Sequence, residues 1–216
     1  MADDATLSTA DLTLAAGILP SQEMDAAIAG GVITSAKPIP DGQVQPASID
    51  LRLGATAYRV RASFLPGAQA TVDEKLKAFT MHEIDLSQGA VLEKGCVYIV
   101  PLQESLNLPP DTSGMANPKS STGRLDIFTR VITDGAAEFD RIEAGYSGPL
   151  FAEISPLTFS VLVRTGSRLS QLRLRRGEFD IADGVAFTVD LTGFNVEGQQ
   201  HKIVGYKAKQ HAGVVD

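Results

Sequence analysis

Cysteine and histidine are scarce in this 216-residue chain, with one of the first and three of the second. A single cysteine excludes an intrachain disulfide and gives no hint of secretion. His82, His201 and His211 lie far apart, and one thiol cannot form a thiolate site, so no zinc is expected. Neither His-x-Glu nor Pro-Cys-x-x-Cys occurs, and no Ser-His-Asp arrangement can be argued. Positive charge is short as well: 19 Lys and Arg stand against 26 Asp and Glu, a net charge of −7. A nucleic-acid backbone needs a basic face, and only local clusters such as Arg173, Arg175 and Arg176 offer one, so no nucleic acid is expected as partner. A small anion is different, because a few convergent cations suffice. No apolar run approaches the roughly 20 residues of a membrane-spanning helix. The acidic start lacks a signal peptide's basic region. No membrane partner is expected, and the expected location is the cytoplasm.

What is present suits a β-rich domain. Hydrophobic residues make up 44% and charged residues 21%, enough for a real core. Glycine and proline, 20 and 11 residues, are spread along the chain, which fits short strands joined by turns. Residues 1–16 read as a loose tail and 17–216 as one domain. Pro20-Ser21 starts a short amphipathic helix, with Met24, Ala27 and Ile28 on one face, and Gly30-Gly31 stops it. In Ser48–Gly54 the period changes to two: Ile49, Leu51 and Leu53 point one way, Ser48, Asp50 and Arg52 the other. Tyr58–Arg61 repeats the alternation. The charged stretch Asp73–Glu83 reads as a loop with at most two helical turns. Further strands are expected at Ala90–Leu92, Cys96–Pro101, Ile127–Val131, Leu150–Ile154, Phe159–Val163, Leu169–Leu174 and Val185–Leu191. Such spacing indicates a sandwich, barrel or jelly roll. Within its apolar run, Cys96 reads as buried filler rather than a reactive thiol.

Chemistry concentrates between Asn117 and Glu153. Lys119-Ser120-Ser121-Thr122-Gly123-Arg124 is not a P-loop, but its two cations and its hydroxyls suit a phosphate. The bland alternative is a solvated loop between strands. Glu153 interrupts the apolar run Leu150-Phe151-Ala152 and shares a strand face with Phe151. Burial disfavours a carboxylate's charge unless a partner compensates, and a general base near neutral pH uses that effect. The equal alternatives are an ion pair with Arg124 or Arg130, or an outward-facing position. Asp134, Glu138, Asp140 and Glu143 form an acidic loop that reads as solvated rather than as a Mg²⁺ site. The C-terminal Tyr206–Gly213 reads either as an arm over a ligand or as a frayed end.

Taken together, these segments resemble the dCTP deaminase branch of the dUTPase-like superfamily. Pro46–Gly54 resembles the family's first strand motif, Lys119–Leu125 its Arg-Ser-Ser-x-x-Arg phosphate motif, and Ile142–Gly148 its Ile-Asp-Pro-Gly-Trp-x-Gly turn. Phe151-Ala152-Glu153 resembles the strand that carries the catalytic glutamate, and Gly166–Leu172 the Gly-x-x-x-x-Gln-Leu motif. The resemblance implies a mainly β, dUTPase-like jelly-roll or β-barrel subunit with a short N-terminal helix. It also implies a homotrimer with active sites between subunits. The implied reaction is zinc-independent hydrolysis of dCTP to dUTP and ammonia, the triphosphate carrying Mg²⁺. Glu153 would be general base and acid, with Ser120 close to the reacting water. Lys119, Ser120, Ser121 and Arg124 would lie along the nucleotide and Glu143 at the deoxyribose. Gln171, Tyr206, Lys209 and Gln210 would complete the phosphate site.

The chain also departs from the family pattern. Lys119 replaces an arginine, which keeps the charge and loses the bidentate fork. Glu143 replaces an aspartate. Val131–Asp134 and an apparent insertion, Gly135–Arg141, stand where the family has a Thr-Ala-His-like segment that helps surround the base. Two other readings stay open: a dUTPase-type pyrophosphatase or bifunctional enzyme, with Glu143 as the available carboxylate, and a non-catalytic nucleotide-binding module.

Overall fold

The computed structural model describes residues 16–177 and the backbone of a small strand pair, Phe194–Val196 with Gln199–His201. Contacts divide the chain into two units, Met1–Phe179 and Asp180–Asp216. The expected strand Val185–Leu191 lies outside the described residues, as do Tyr206, Lys209, Gln210 and all but the last residue of the expected tail.

In chain order the elements begin β1 (Gly17–Ile18), α1 (Ser21–Ala29), β2 (Ile33–Ser35), β3 (Val44–Gln45), β4 (Ser48–Arg52) and β5 (Thr56–Val60). They continue through α2 (Val72–Phe79), β6 (Thr80–Asp85), β7 (Ala90–Leu92), β8 (Val97–Asn107), β9 (Thr112–Pro118) and α3 (Ser120–Arg124). β10 (Ile127–Thr133), β11 (Arg141–Ile142), β12 (Ser147–Pro156), β13 (Val161–Val163) and β14 (Arg168–Arg176) complete the unit. The mainly β expectation holds. One antiparallel sheet runs β11-β9-β14-β4-β3, with β1 added to β14. A second runs β10-β12-β8-β5-β6, with β2 added to β8, and β7 pairs with β13 in a separate two-stranded sheet. No helix among the described residues is long and apolar enough to cross a membrane.

The period-two patterns place the core. Ile49, Leu51, Leu172 and Leu174 of the first sheet meet Val100, Leu102, Leu150, Ala152 and Ile154 of the second. A second cluster covers that second sheet's other face: Ile99, Ile132 and Phe151 pack under Phe64, Val72 and Leu76. β12 is therefore buried on both faces, and Glu153 falls on the side of Phe151. α2 is held over this face by its own cap. Thr71 and Glu74 form a reciprocal capping box, and the Val72 amide donates to Asp134 Oδ1 at 2.7 Å.

β4 is likewise buried throughout, including its polar positions Ser48, Asp50 and Arg52. Arg52 Nε donates to Glu104 Oε1 at 2.7 Å and the Arg52 amide to Glu104 Oε2 at 2.8 Å. Gln43 Nε2 donates to the same carboxylate at 2.7 Å. The guanidinium also donates to the carbonyls of Lys37 and Pro38, which ties the 35–38 turn to the sheet. Gly54 then lets the chain leave β4, because a Cβ there would stand 2.6 Å from the Pro101 carbonyl oxygen.

Three expectations need correction. The stretch Asp73–Glu83 is not mainly loop: its helix leads directly into β6, a largely exposed edge strand whose charges hid its pairing with β5. β9 was not expected at all. Gly114 is needed there for close packing, since a Cβ would lie 3.1 Å from Leu172 and 3.2 Å from Ile142. Cys96 is half-buried rather than buried: it precedes its strand and packs partly against the core, with Sγ 3.9 Å from Glu93 Oε2.

The Arg52–Glu104 pair generates a prediction. Breaking a buried pair strands its other charge, so Arg52→Met should lower unfolding stability by about 3–5 kcal/mol. Adding Glu104→Leu should recover part of that loss. Urea denaturation of the two variants tests this, and a double variant no more stable than the single one would contradict it.

Candidate active site

The structure places most of the described expected residues in two groups, with Glu143 in neither. The first lies where β9, β14 and β4 run side by side. Gln171 of β14 stands opposite Asp50 of β4 on one side and Asn117 of β9 on the other. Lys119 follows β9, and its amide donates to the Leu169 carbonyl at 2.9 Å. Its Nζ pairs with Asp50 Oδ2, and Arg168 Nη1 lies 3.7 Å from the same oxygen. Ser48 Oγ is 3.5 Å from Gln171 Oε1. Asp50 is buried and its Oδ1 has no hydrogen-bond partner.

The polar run after Lys119 is the short helix α3, not a loop. It exposes Ser120, Ser121 and Arg124 and buries Thr122. Lys119, Ser120, Ser121, Arg124 and Gln171 are thus neighbours along the chain and across the ladder. Cations and hydroxyls at an exposed edge over a buried carboxylate can hold an anion. Asp50, Ser48 and Arg168 were missed as site residues. The strand motif was read as a fold signature, and nothing in its alternation shows that both faces are covered.

The second group lies on the covered face of the second sheet. Arg130 of β10 stands opposite Glu153 of β12. Its Nη2 donates to Glu153 Oε1 at 2.5 Å and its Nε to the same oxygen at 3.1 Å. Glu153 is 2% exposed, and its Oε2 is buried without a partner. Of the two ion-pair alternatives, Arg130 is the partner and Arg124 is not. Among the described residues no hydrogen bond or ion pair joins this group to the first.

The acidic loop is only half as solvated as expected. Asp134 caps α2, and Asp140 Oδ1 accepts from the Val131 amide at 2.7 Å. Burial pushes the Asp140 carboxyl upward from its ordinary range, against the pull of the Val131 hydrogen bond and Arg130, with Glu153 adding to the rise. Glu138 and Glu143 do face solvent, where both pair with Arg141, at 3.6 and 3.0 Å. Glu143 belongs instead to a concavity of about 250 Å³, lined also by Thr133, Asp134, Glu138, Arg141 and Tyr146. Tyr146 braces that turn: its hydroxyl donates to the Pro149 carbonyl at 2.6 Å and accepts from the Asp134 amide at 3.3 Å. Burial pushes the phenol up to about 12. Among the described residues no group of three or more His, Cys, Asp or Glu is placed to hold a metal ion.

Residues 15–178 match the family described as the 2′-deoxycytidine 5′-triphosphate deaminase N-terminal domain. The crystal structure of 2′-deoxycytidine 5′-triphosphate deaminase from Agrobacterium tumefaciens is similar, with a TM-score of 0.74 and 54% identity over 85% of this chain and 61% of that one. A dCTP deaminase of Halorubrum lacusprofundi is 33% identical over 134 residues, 61% of this chain and 63% of that protein. A dCTP deaminase, dUMP-forming, of a Parafrankia species is 30% identical over 163 residues, 74% of this chain and 76% of its own length. The match therefore spans less than two-thirds of the Agrobacterium and Halorubrum proteins.

The raised Asp140 carboxyl has a consequence for stability. A folded-state value above the unfolded one means the contribution is full in acid and is lost as pH rises through the folded value. Asp140→Asn keeps the acceptor for the Val131 amide and tolerates the local φ of 65°. Its thermal midpoint should match the parent's near pH 4 and exceed it at pH 7. A parent that stays the more stable at pH 7 would show that Arg130 fully compensates the charge.

Proposed function

The chain belongs to the dCTP deaminase N-terminal-domain family, and on that premise we propose that it hydrolyses dCTP to dUTP and ammonia. The observation that carries this reading is Glu153, a carboxylate taken out of water on a sheet face with one oxygen left free to accept. In the proposed reaction Glu153 takes a proton from water as the oxygen adds to C4 of the cytosine. The carboxyl group delivers that proton to N3, then takes the hydroxyl proton of the tetrahedral intermediate and passes it to the amine, so that the C4 carbonyl forms as the C–N bond breaks and ammonia departs. No zinc takes part. Ser120 lies close to the reacting water, and Lys119, Ser121, Arg124 and Gln171 hold the triphosphate. Tyr206, Lys209 and Gln210 are proposed to complete that end. Mg²⁺ enters as part of the substrate, bound to phosphate oxygens, since the described residues offer no carboxylate cluster for a resident ion. Glu143, beside Arg141 in the concavity, is proposed to meet the deoxyribose.

The proposal has a further part, a homotrimer with active sites between subunits. A homotrimer would supply the phosphate-binding edge of one subunit to the Glu153 face of another. A second reading, release of dUMP and pyrophosphate as well as ammonia, is favoured by the name of the Parafrankia relative. It would assign water activation at the α-phosphate to Glu143, which is exposed and held by Arg141.

Purified protein incubated with dCTP and Mg²⁺ should release ammonia and dUTP. Glu153→Gln should slow that release by about 10²–10⁴-fold, the usual contribution of a general base. Pyrophosphate formed with dUMP would move the assignment to the bifunctional reading. Saturable dCTP binding without turnover by the parent protein would reduce it to a nucleotide-binding module.

A further inference from the structure

From the hydrogen bonds around Glu153 we infer that Arg130 is a positioning residue that ties down one carboxylate oxygen and reserves the other, Oε2, for proton transfer. The inference rests on the reading of Glu153 as general base. A guanidinium commonly meets a carboxylate with one N–H on each oxygen. Here both donors, Nε and Nη2, converge on Oε1, at 3.1 and 2.5 Å. Oε2 is left buried without a partner, a condition that is costly unless another molecule supplies a donor. A water about to lose its proton is such a donor.

Arg130 is itself held on several sides. Its guanidinium carbon lies 3.4 Å from the centre of the Phe139 ring and 4.8 Å from that of Phe128. Nη2 also donates to Ser63 Oγ at 3.1 Å. The strand beneath is pinned by Asp140, whose carboxylate accepts from the Val131 amide while its own amide donates to the Val131 carbonyl at 2.9 Å. Phe139 and Asp140 both come from the segment 135–141. That segment thus seats the guanidinium, and Phe139 positions Arg130 as Arg130 positions Glu153.

Steady-state kinetics of the full chain with dCTP test this on three variants. Arg130→Lys keeps a charge but loses the two-pronged hold, and kcat should fall on the order of 100-fold. Phe139→Leu strands no charge, and should lower kcat about tenfold while the protein stays folded. KM should stay within about twofold in both, as expected when a group acts on the reacting step alone. A raised KM at unchanged kcat would make Arg130 a substrate contact and overturn the inference. If Glu153→Gln keeps full turnover, the base reading fails and this inference with it. If Glu153→Gln is inactive while Phe139→Leu retains the parental kcat, the inference alone fails, and that arm decides even should Arg130→Lys not fold.

Discussion

A carboxylate removed from water must be answered by a cation or by several hydrogen bonds, and this unit meets that demand in three places. Glu104 pairs with Arg52, Asp50 with Lys119 and Glu153 with Arg130, every carboxylate being at most 2% exposed. The cations differ. The Arg52 side chain is 7% exposed, whereas those of Lys119 and Arg130 are 28% and 25% exposed. A pair sealed at both ends can only hold the fold. A pair whose cation reaches the surface can exchange part of its interaction with a ligand, so exposure of the positive partner separates the structural pair from the two in the candidate site.

The sheets make this arrangement possible because their site-bearing strands are covered on both faces. β4 gives Ile49 and Leu51 to the core and turns Asp50 and Arg52 the other way, into polar networks. β12 gives Leu150, Ala152 and Ile154 to the core and turns Phe151 and Glu153 toward the layer under α2. In each strand the ladder and the apolar side fix the backbone, and the polar side inherits that rigidity. Catalytic geometry on a strand is more exactly held than on a loop for this reason.

Much of this was legible in the chain itself. Alternation marked β4 and β5, the spacing of apolar runs marked β12 and β14, and an acid within an apolar run marked Glu153. Its partner was not legible: spacing left Arg124 and Arg130 equal, and strand register put only Arg130 opposite. Asp50 and Ser48 escaped because alternation says which residues share a face, not what covers it. β9 escaped because its glycine, fixed in place by Ile142 and Leu172 packed against it, has no side chain to carry an alternating pattern. The acidic loop misled for a related reason. Two of its carboxylates cap or brace backbone amides, a use that composition does not distinguish from solvation.

The segment 134–141 leaves β10 and returns through β11 to the turn before β12, so its ends are set by the sheets and its length is not. Loops of that kind accept insertions at little thermodynamic cost. Here the tolerant stretch also carries the ring stacked on the guanidinium beside the buried acid. Sequence drift in a surface loop can therefore reset the surroundings of a buried carboxylate while every strand register stays as it was, which makes this loop a place where related chains can differ before they diverge in fold.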